Sequence, residues 1–275
     1  MTSMIGRQRL YCMRFLQPLL LARIALTISL ATTPMTANAT EARSAASAPP
    51  ATVTAYVYHL KPPFITDVQQ EQGLYYAFAD YVNRKLGRAA LKTEYLPRKR
   101  LEQLVHASDF DGIVLGVNPI WFRDIEEKQY LWTSVLMNDR DELVSPASRP
   151  VQYHGPESLH GKTVGGVHGH YYYGIDEAVK AGQLRREDTD SEMQNLTKLR
   201  VNRIDVTIIS RSTFDYLIRH YGGRELYALS DRPHDVFARR ILIPHRRRDV
   251  YDWLEPLMKA LPDDPAWQAI VNSYQ

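Results

Sequence analysis

The feature that most constrains the fold is an alternation of strand and helix patterns that starts at Val53. Val53, Ala55 and Val57 alternate with polar or aromatic neighbours, as expected for a strand. The stretch 74–86 carries apolar residues at helical spacing and ends before Gly87, a typical C-cap residue. Repeated strand–helix units build parallel sheets with helices on both faces. Such sheets bind ligands beyond the carboxyl ends of their strands, so the residues that follow each strand are the candidates for a site.

The same patterns recur along the rest of the chain. Further strands are predicted at 91–95, 112–117, 163–167 and 206–209. Further helices are predicted directly after Pro97 and at 175–181, 192–201, 213–221, 250–260 and 265–274. The predicted fold class is therefore α/β.

The N-terminus has the three parts of a secretory signal peptide. Four arginines are the only charged residues before Glu41, and they are followed by an apolar run over 24–31 and an Ala-x-Ala site that ends at Ala39. The apolar run is too short for a membrane span, which needs about 20 residues. We predict a cleaved signal peptide at 1–39 and a flexible Ala/Ser/Pro-rich linker at 40–52.

Removing the signal peptide changes the charge and the cysteine content. Four of the 34 basic residues and none of the 31 acidic residues precede the cleavage site, so the net charge falls from +3 to −1. A balanced charge argues against a nucleic-acid partner, which needs a clustered basic face. The single cysteine, Cys12, is removed, and a cysteine-free mature chain suits an oxidising compartment. The predicted location is the periplasm.

Five segments, in order and spacing, carry a family resemblance: 58–64, 73–75, 111–123, 159–165 and 203–206. Together they resemble the type 2 periplasmic solute-binding proteins, specifically the polar-amino-acid-binding family of ABC transporters (bacterial extracellular solute-binding protein family 3). The resemblance covers nearly all of the chain from Val53 onward.

The resemblance implies two α/β lobes joined by two crossover strands, with a cleft between the lobes. Lobe one would be 53–143 plus 236–275, lobe two 146–230, and the hinge crossovers 144–145 and 231–235. The implied function is capture of a small polar or anionic molecule for an ABC importer by hinge closure. The permease would be a separate chain, and the protein a monomer without cofactor or enzymatic activity.

The first group of predicted ligand-binding residues lies in lobe one. Gly116 is a predicted ligand-binding residue. Arg123 follows the Gly116 strand at the spacing where the resembling family holds a ligand carboxylate, and a guanidinium offers a planar fork that matches two carboxylate oxygens. Asn118 either contacts the ligand or forms an Asn-Pro turn. Tyr58 and Phe64 either line the cleft or pack in the core.

The second group lies in lobe two, after the strand at 163–167. His170 and Tyr171 occupy a loop leading to a helix start, where the family presents backbone N–H groups to an anion. Ser210 stands where amino-acid binders of the family carry an aspartate for the ligand's ammonium group, and Arg211 follows it. A serine cannot neutralise an ammonium, so we expect a carboxylate or another anion as ligand.

Several alternatives stay open at this point. Arg211 could be solvated, with Asp80 or Asp139 taking over the role of the missing aspartate. His168 and His170 lack a third converging ligand, so no metal site is predicted. The same fold also serves ligand-sensing modules for membrane receptors and dehydratase-like enzymes, in which His170 would be the obvious proton carrier.

Overall fold

The structure, a computed structural model, describes residues 51–274. The predicted signal peptide and most of the predicted linker lie outside the described residues. Within 51–274, no helix has the length and apolar character that crossing a bilayer demands. The chain begins with β1 (Val53–Val57), α1 (Leu74–Leu86), β2 (Leu91–Tyr95), α2 (Arg98–Val105), β3 (Ile113–Val117), β4 (Tyr130–Trp132) and β5 (Met137–Pro146).

The second half continues the alternation. It contains β6 (Thr163–Val167), α3 (Ile175–Lys180), β7 (Arg185–Thr189), α4 (Glu192–Arg200), β8 (Val206–Ser210), α5 (Arg211–Tyr221), β9 (Tyr227–Leu229), β10 (Asp235–Pro244), α6 (Arg248–Ala260) and α7 (Pro265–Tyr274). Every strand and helix that the sequence predicts has a counterpart in the structure, with only small shifts at its ends.

The strand order repeats the same arrangement twice. The first lobe has the order β2-β1-β3-β10 and the second the order β7-β6-β8-β5, with three parallel strands followed by one antiparallel strand in each. β5 and β10 pair with each other, antiparallel, where residues 137–141 face 235–239. The predicted fold class, two α/β lobes joined by two crossover strands, is confirmed.

The sequence patterns do not predict β5 and β10 as long strands, although the structure gives each ten residues. The first half of β5, Met-Asn-Asp-Arg-Asp, has no apolar alternation. Asp139 pairs with Arg239, Arg140 with Glu142 and Arg240 with Glu127, so charge takes the place of apolar packing.

The chain returns to the first lobe after β10. Val250, Leu254 and Met258 of α6 are fully buried in the same core cluster as β1 and α1. Trp267 of α7 packs edge-on against Phe78, with ring centroids 5.5 Å apart. The second lobe has its own apolar clusters. Each lobe is therefore stabilised by its own core, and the two crossover strands link them.

Candidate functional site

Arg239 of β10 is the most buried charged residue of the cleft region, with 1% of its surface exposed. Its Nη2 and Nε donate to Asp139 Oδ2, at 3.0 and 3.2 Å. Its Nη1 donates to the Gly116 carbonyl oxygen and to His59 Nε2, both at 3.2 Å. A buried guanidinium is tolerated only when it is paired and hydrogen-bonded, and these contacts meet that condition.

Three aromatic rings surround the same guanidinium. The Arg239 Cζ atom lies 4.2 Å from the centroid of Phe64, 5.0 Å from Phe237 and 5.5 Å from Trp121. Cations over aromatic faces gain electrostatic stabilisation from the ring quadrupole. The rings and the carboxylate together fix the orientation of Arg239.

Gly116 allows Tyr75 to approach β3 closely. Gly116 has a φ of 70°, and a Cβ atom there would lie 1.7 Å from the Tyr75 hydroxyl. That hydroxyl is buried and makes no hydrogen bond of regular geometry to any described residue. Burial raises the pKa of Tyr75, so its hydroxyl stays protonated. We call His59, Tyr75, Gly116, Asp139 and Arg239 the cleft floor.

The two lobes contact each other above the cleft floor. Lys61, after β1, forms an ion pair with Glu192, at the start of α4, with 3.0 Å between Nζ and Oε1 and both side chains at most 12% exposed. Thr213 Oγ1 of α5 donates to the Pro62 carbonyl oxygen at 2.6 Å. Burial alone would raise the pKa of Glu192, but the charge of Lys61 outweighs burial and lowers the pKa below its ordinary value, so the carboxylate stays ionised.

A loop of the second lobe, residues 168–173, forms the opposite wall. His170 is half-buried, and burial together with the charge of Lys61 lowers its pKa to about 4, which makes the ring neutral at pH 7. Its carbonyl oxygen accepts from Arg186 Nη2 at 2.9 Å. Tyr171 is 57% exposed and donates to Glu177. We call this segment the second-lobe loop.

The structure brings three of the residues predicted in lobe one to the cleft floor and leaves Arg123 at the surface. Phe64 and Gly116 contact Arg239, and Tyr58 stacks on His59 with ring centroids 4.0 Å apart. Arg123 is exposed, with a φ of 55°.

Asn118 and Asp124 organise the loop that carries Arg123. Asn118 Oδ1 accepts from the Trp121 N–H at 3.0 Å, which closes a turn. Asp124 is buried, and its Oδ2 accepts from Trp132 Nε1 at 2.9 Å. These contacts hold the loop on the first lobe while Arg123 faces solvent.

Ser210 and Arg211 make contacts within the second lobe and to β5. Ser210 is fully buried, and its Oγ donates a hydrogen bond to Thr213 Oγ1 at 2.9 Å. Arg211 pairs with Asp215 at 2.6 Å and with Glu142 at 3.4 Å. The positive charge of Arg211 is thus balanced inside the protein.

Of the two acids considered as substitutes for the missing aspartate, only Asp139 lies at the cleft. Asp139 accepts from Ser212 Oγ at 2.7 Å and from Arg239, whereas Asp80 is exposed on α1. Because Asp139 already has a cationic partner, a ligand ammonium would compete with Arg239 for it.

Sequence reasoning missed Arg239, His59, Lys61, Glu192 and Tyr75. One signal was present for Arg239. Adjacent strand residues point to opposite faces, so of the consecutive Arg239 and Arg240, followed by Ile-Leu-Ile, one arginine had to face the interior. His59 and Lys61 follow β1 at the edge where ligands are expected, but nothing in the sequence shows their depth.

Two cavities lie outside the cleft floor. A cavity of about 170 Å³ lies between α4 and α5, and another of about 370 Å³ lies between the start of β5 and α7. Neither is lined by residues of the cleft floor. Among residues 51–274, no three His, Cys, Asp or Glu side chains are grouped so as to hold a metal ion.

No protein-family model and no curated protein sequence matches the chain. Solved structures do. An ancestral arginine-binding protein bound to arginine aligns with a TM-score of 0.60 and 14% identity, over 81% of this chain and 97% of that one. The GluR0 ligand-binding core in complex with L-glutamate aligns with a TM-score of 0.63 and 13% identity, over 82% of this chain and 98% of that one. An arginine third transport system periplasmic binding protein from Legionella pneumophila aligns with a TM-score of 0.59 and 13% identity, over 82% of this chain and 99% of that one. These likenesses establish the fold, that of the type 2 periplasmic binding proteins.

Proposed function

We propose that this protein is a periplasmic solute-binding protein that captures a small polar or anionic molecule in the cleft between its lobes. The observation that carries the proposal is the contact across the cleft. Lys61 and Glu192 come from different lobes and pair at 3.0 Å above a buried, charged floor. Charged groups in such a place suit a polar ligand that the lobes enclose, because ordinary core packing would be apolar.

The comparisons support this function at the level of analogy. Several structural neighbours are amino-acid-binding proteins, and one is described as the substrate-binding protein of an amino acid ABC transporter. Capture for an ABC importer on a separate chain, export by the predicted signal peptide, a monomeric state and the absence of catalysis all belong to this proposal.

Hinge closure is part of the same proposal. β5 and β10 pair at 137–141 and 235–239, close to the proposed hinge crossovers 144–145 and 231–235, so small backbone rotations at those crossovers would open the cleft. Ligand binding would then select the closed state that the Lys61–Glu192 pair stabilises.

The ligand-binding residues that we propose are the same as those predicted from the sequence. They are Arg123, Asn118, Tyr58, Phe64, Gly116, His170, Tyr171 and Ser210.

A thermal-shift screen of residues 40–275 tests the proposal. The panel contains amino acids, dicarboxylates, aromatic acids and small cations. A ligand at about 100 times its Kd adds about 2.7 kcal/mol of stability, which such a screen detects clearly. We expect at least one polar or anionic compound to raise the Tm. Small-angle scattering of the hit complex should show a smaller radius of gyration than the free protein.

Two alanine variants locate the hit. Arg123→Ala should weaken binding if Arg123 contacts the ligand. Arg248→Ala is the matched control, since Arg248 is an exposed arginine on α6 that pairs with the exposed Asp252. Equal binding by both variants would remove Arg123 from the site but leave the proposed function in place. A panel without any hit, together with no small molecule retained through purification, would contradict the function itself.

A further inference from the structure

His59 is the one histidine of the cleft floor, and its protonation is fixed by its neighbour. Its ring is 8% exposed, and burial followed by the charge of Arg239 keeps its pKa well below the usual range, so the ring is neutral. A neutral imidazole has one N–H donor and one acceptor, and a guanidinium has donors only. Because Arg239 Nη1 lies 3.2 Å from Nε2, that nitrogen must accept, and the proton resides on Nδ1.

The Nδ1–H group of His59 has no hydrogen-bond partner among residues 51–274. It is fully buried and makes no hydrogen bond to any described residue. The same holds, at regular geometry, for the hydroxyl of Tyr75, whose ring centroid lies 6.0 Å from that of His59. A buried donor without an acceptor is costly, and native proteins leave few of them.

The ring cannot turn freely to find a partner elsewhere. It stacks on Tyr58 at 4.0 Å and has Phe64 and Trp121 at 5.8 Å on other sides. His59 also follows β1, at the carboxyl edge of parallel strands where ligands bind. The cations whose charges act most strongly on it are Arg239, Lys61 and Arg98, and each of them is paired with a carboxylate of the protein.

We propose that His59 is a ligand-binding residue whose Nδ1–H donates to a carboxylate oxygen of the bound solute. This inference rests on the proposed function and names the class of ligand, a small carboxylate. A buried N–H donor favours an anionic acceptor over a neutral one, since hydrogen bonds to charged groups are stronger. Tyr75 Oη, as donor or acceptor, is the neighbouring polar group available to the same ligand.

Two substitutions separate the two nitrogens of the ring. His59→Gln places an amide near the Nε2 position, which keeps an acceptor for Arg239 but removes the donor at Nδ1. His59→Asn places its amide near Nδ1, which keeps that donor but removes the acceptor for Arg239. The probes are succinate against succinamide and benzoate against benzamide, measured by calorimetry with residues 40–275.

We expect wild type to bind a carboxylate better than its amide, and His59→Gln to weaken that binding about 10- to 100-fold with little change in Tm. His59→Asn should show the opposite, a lower Tm with most of the affinity retained. Unchanged carboxylate affinity in His59→Gln, or a preference of wild type for the amides, would overturn the inference and leave the proposed function standing. Wild type that binds no probe would overturn the carboxylate class, while the broader screen decides the function separately.

The tautomer provides a test that needs no ligand. Nitrogen-15 NMR of the free protein at pH 7, with the His59 signals assigned by their loss in His59→Gln, should show the proton on Nδ1. A proton on Nε2 would overturn the inference irrespective of any binding result.

Discussion

The cleft floor and the second-lobe loop form opposite sides of one cleft but differ in how much water reaches them. In the cleft floor, Arg239 is 1% exposed and every side of its guanidinium meets a carboxylate, a carbonyl or a ring. In the second-lobe loop, Tyr171 is 57% and Tyr173 is 79% exposed, and His170 is half-buried. The floor is therefore held in place by contacts within the protein, whereas the loop has exposed surface that a ligand could cover.

This difference assigns separate tasks to the two sides. A preorganised group loses little conformational freedom on binding, so contacts to the floor determine which ligand fits. The exposed side chains of the loop can gain burial against a ligand, so contacts from the loop would join the ligand to the second lobe. The predictions that follow test this division of roles, beginning with the floor.

Removing the charge of Arg239 should have the largest effect. Arg239→Met leaves Asp139 buried without its cation, and breaking a buried pair in this way costs about 3–5 kcal/mol. Urea denaturation measures the loss. Arg240→Met is the matched control, because the neighbouring arginine pairs with Glu127 nearer the surface and should cost much less.

A double variant distinguishes charge from packing at the same place. Asp139→Asn removes the carboxylate charge but keeps an acceptor for Ser212. Arg239→Met combined with Asp139→Asn should therefore recover part of the lost stability. If Arg239→Met alone unfolds as wild type does, the floor is not a preorganised charged unit and the comparison with the loop fails.

A methyl group at Gly116 should have the next largest effect. Gly116→Ala places a Cβ atom 1.7 Å from the Tyr75 hydroxyl and adds the cost of a positive φ, about 3 kcal/mol together. Gly87→Ala is the matched control, with a φ of 63° but nothing within 4 Å, and should cost only about 1 kcal/mol. Equal losses of stability in urea would show that Tyr75 does not pack rigidly on β3.

The sequence predicts the framework better than the chemistry of the site. Apolar periodicity locates α1, β3, β6 and the C-terminal helices, because their packing faces are apolar. It does not locate the long strands β5 and β10, where ion pairs replace apolar contacts. Nor does it locate the Arg239–Asp139 pair, which joins residues 100 positions apart. Such a pair depends on how two crossover strands lie side by side, and local patterns carry no information about that.

The same limit applies to the predicted site residues. The resemblance directs attention to Arg123, at the expected spacing after Gly116, but the turns made by Asn118 and Asp124 decide where the arginine side chain lies. The carboxyl edges of the strands were predictable from the α/β alternation, and His59, Lys61 and His170 all occur there. Which of these side chains is buried, and with which partner, depends on the contact between the lobes.

The smallest expected effect concerns the ion pair that joins the two sides of the cleft. Glu192→Gln removes the charge that Lys61 meets and should cost about 1–2 kcal/mol at pH 7. The pKa of Glu192 is lowered in the folded state, so its contribution is present above the ordinary pKa of a glutamate, about 4.3, and is lost as the pH falls through the folded-state value. The difference in unfolding free energy between wild type and Glu192→Gln should therefore shrink on acidification, measured by urea denaturation from pH 7 to 3.

Asp252→Asn, in the exposed Arg248–Asp252 pair, is the control for general charge effects. Its unfolding free energy should differ little from that of wild type at any pH. If the difference in unfolding free energy between wild type and Glu192→Gln stays constant down to pH 3, packing and not charge holds the second lobe against the first.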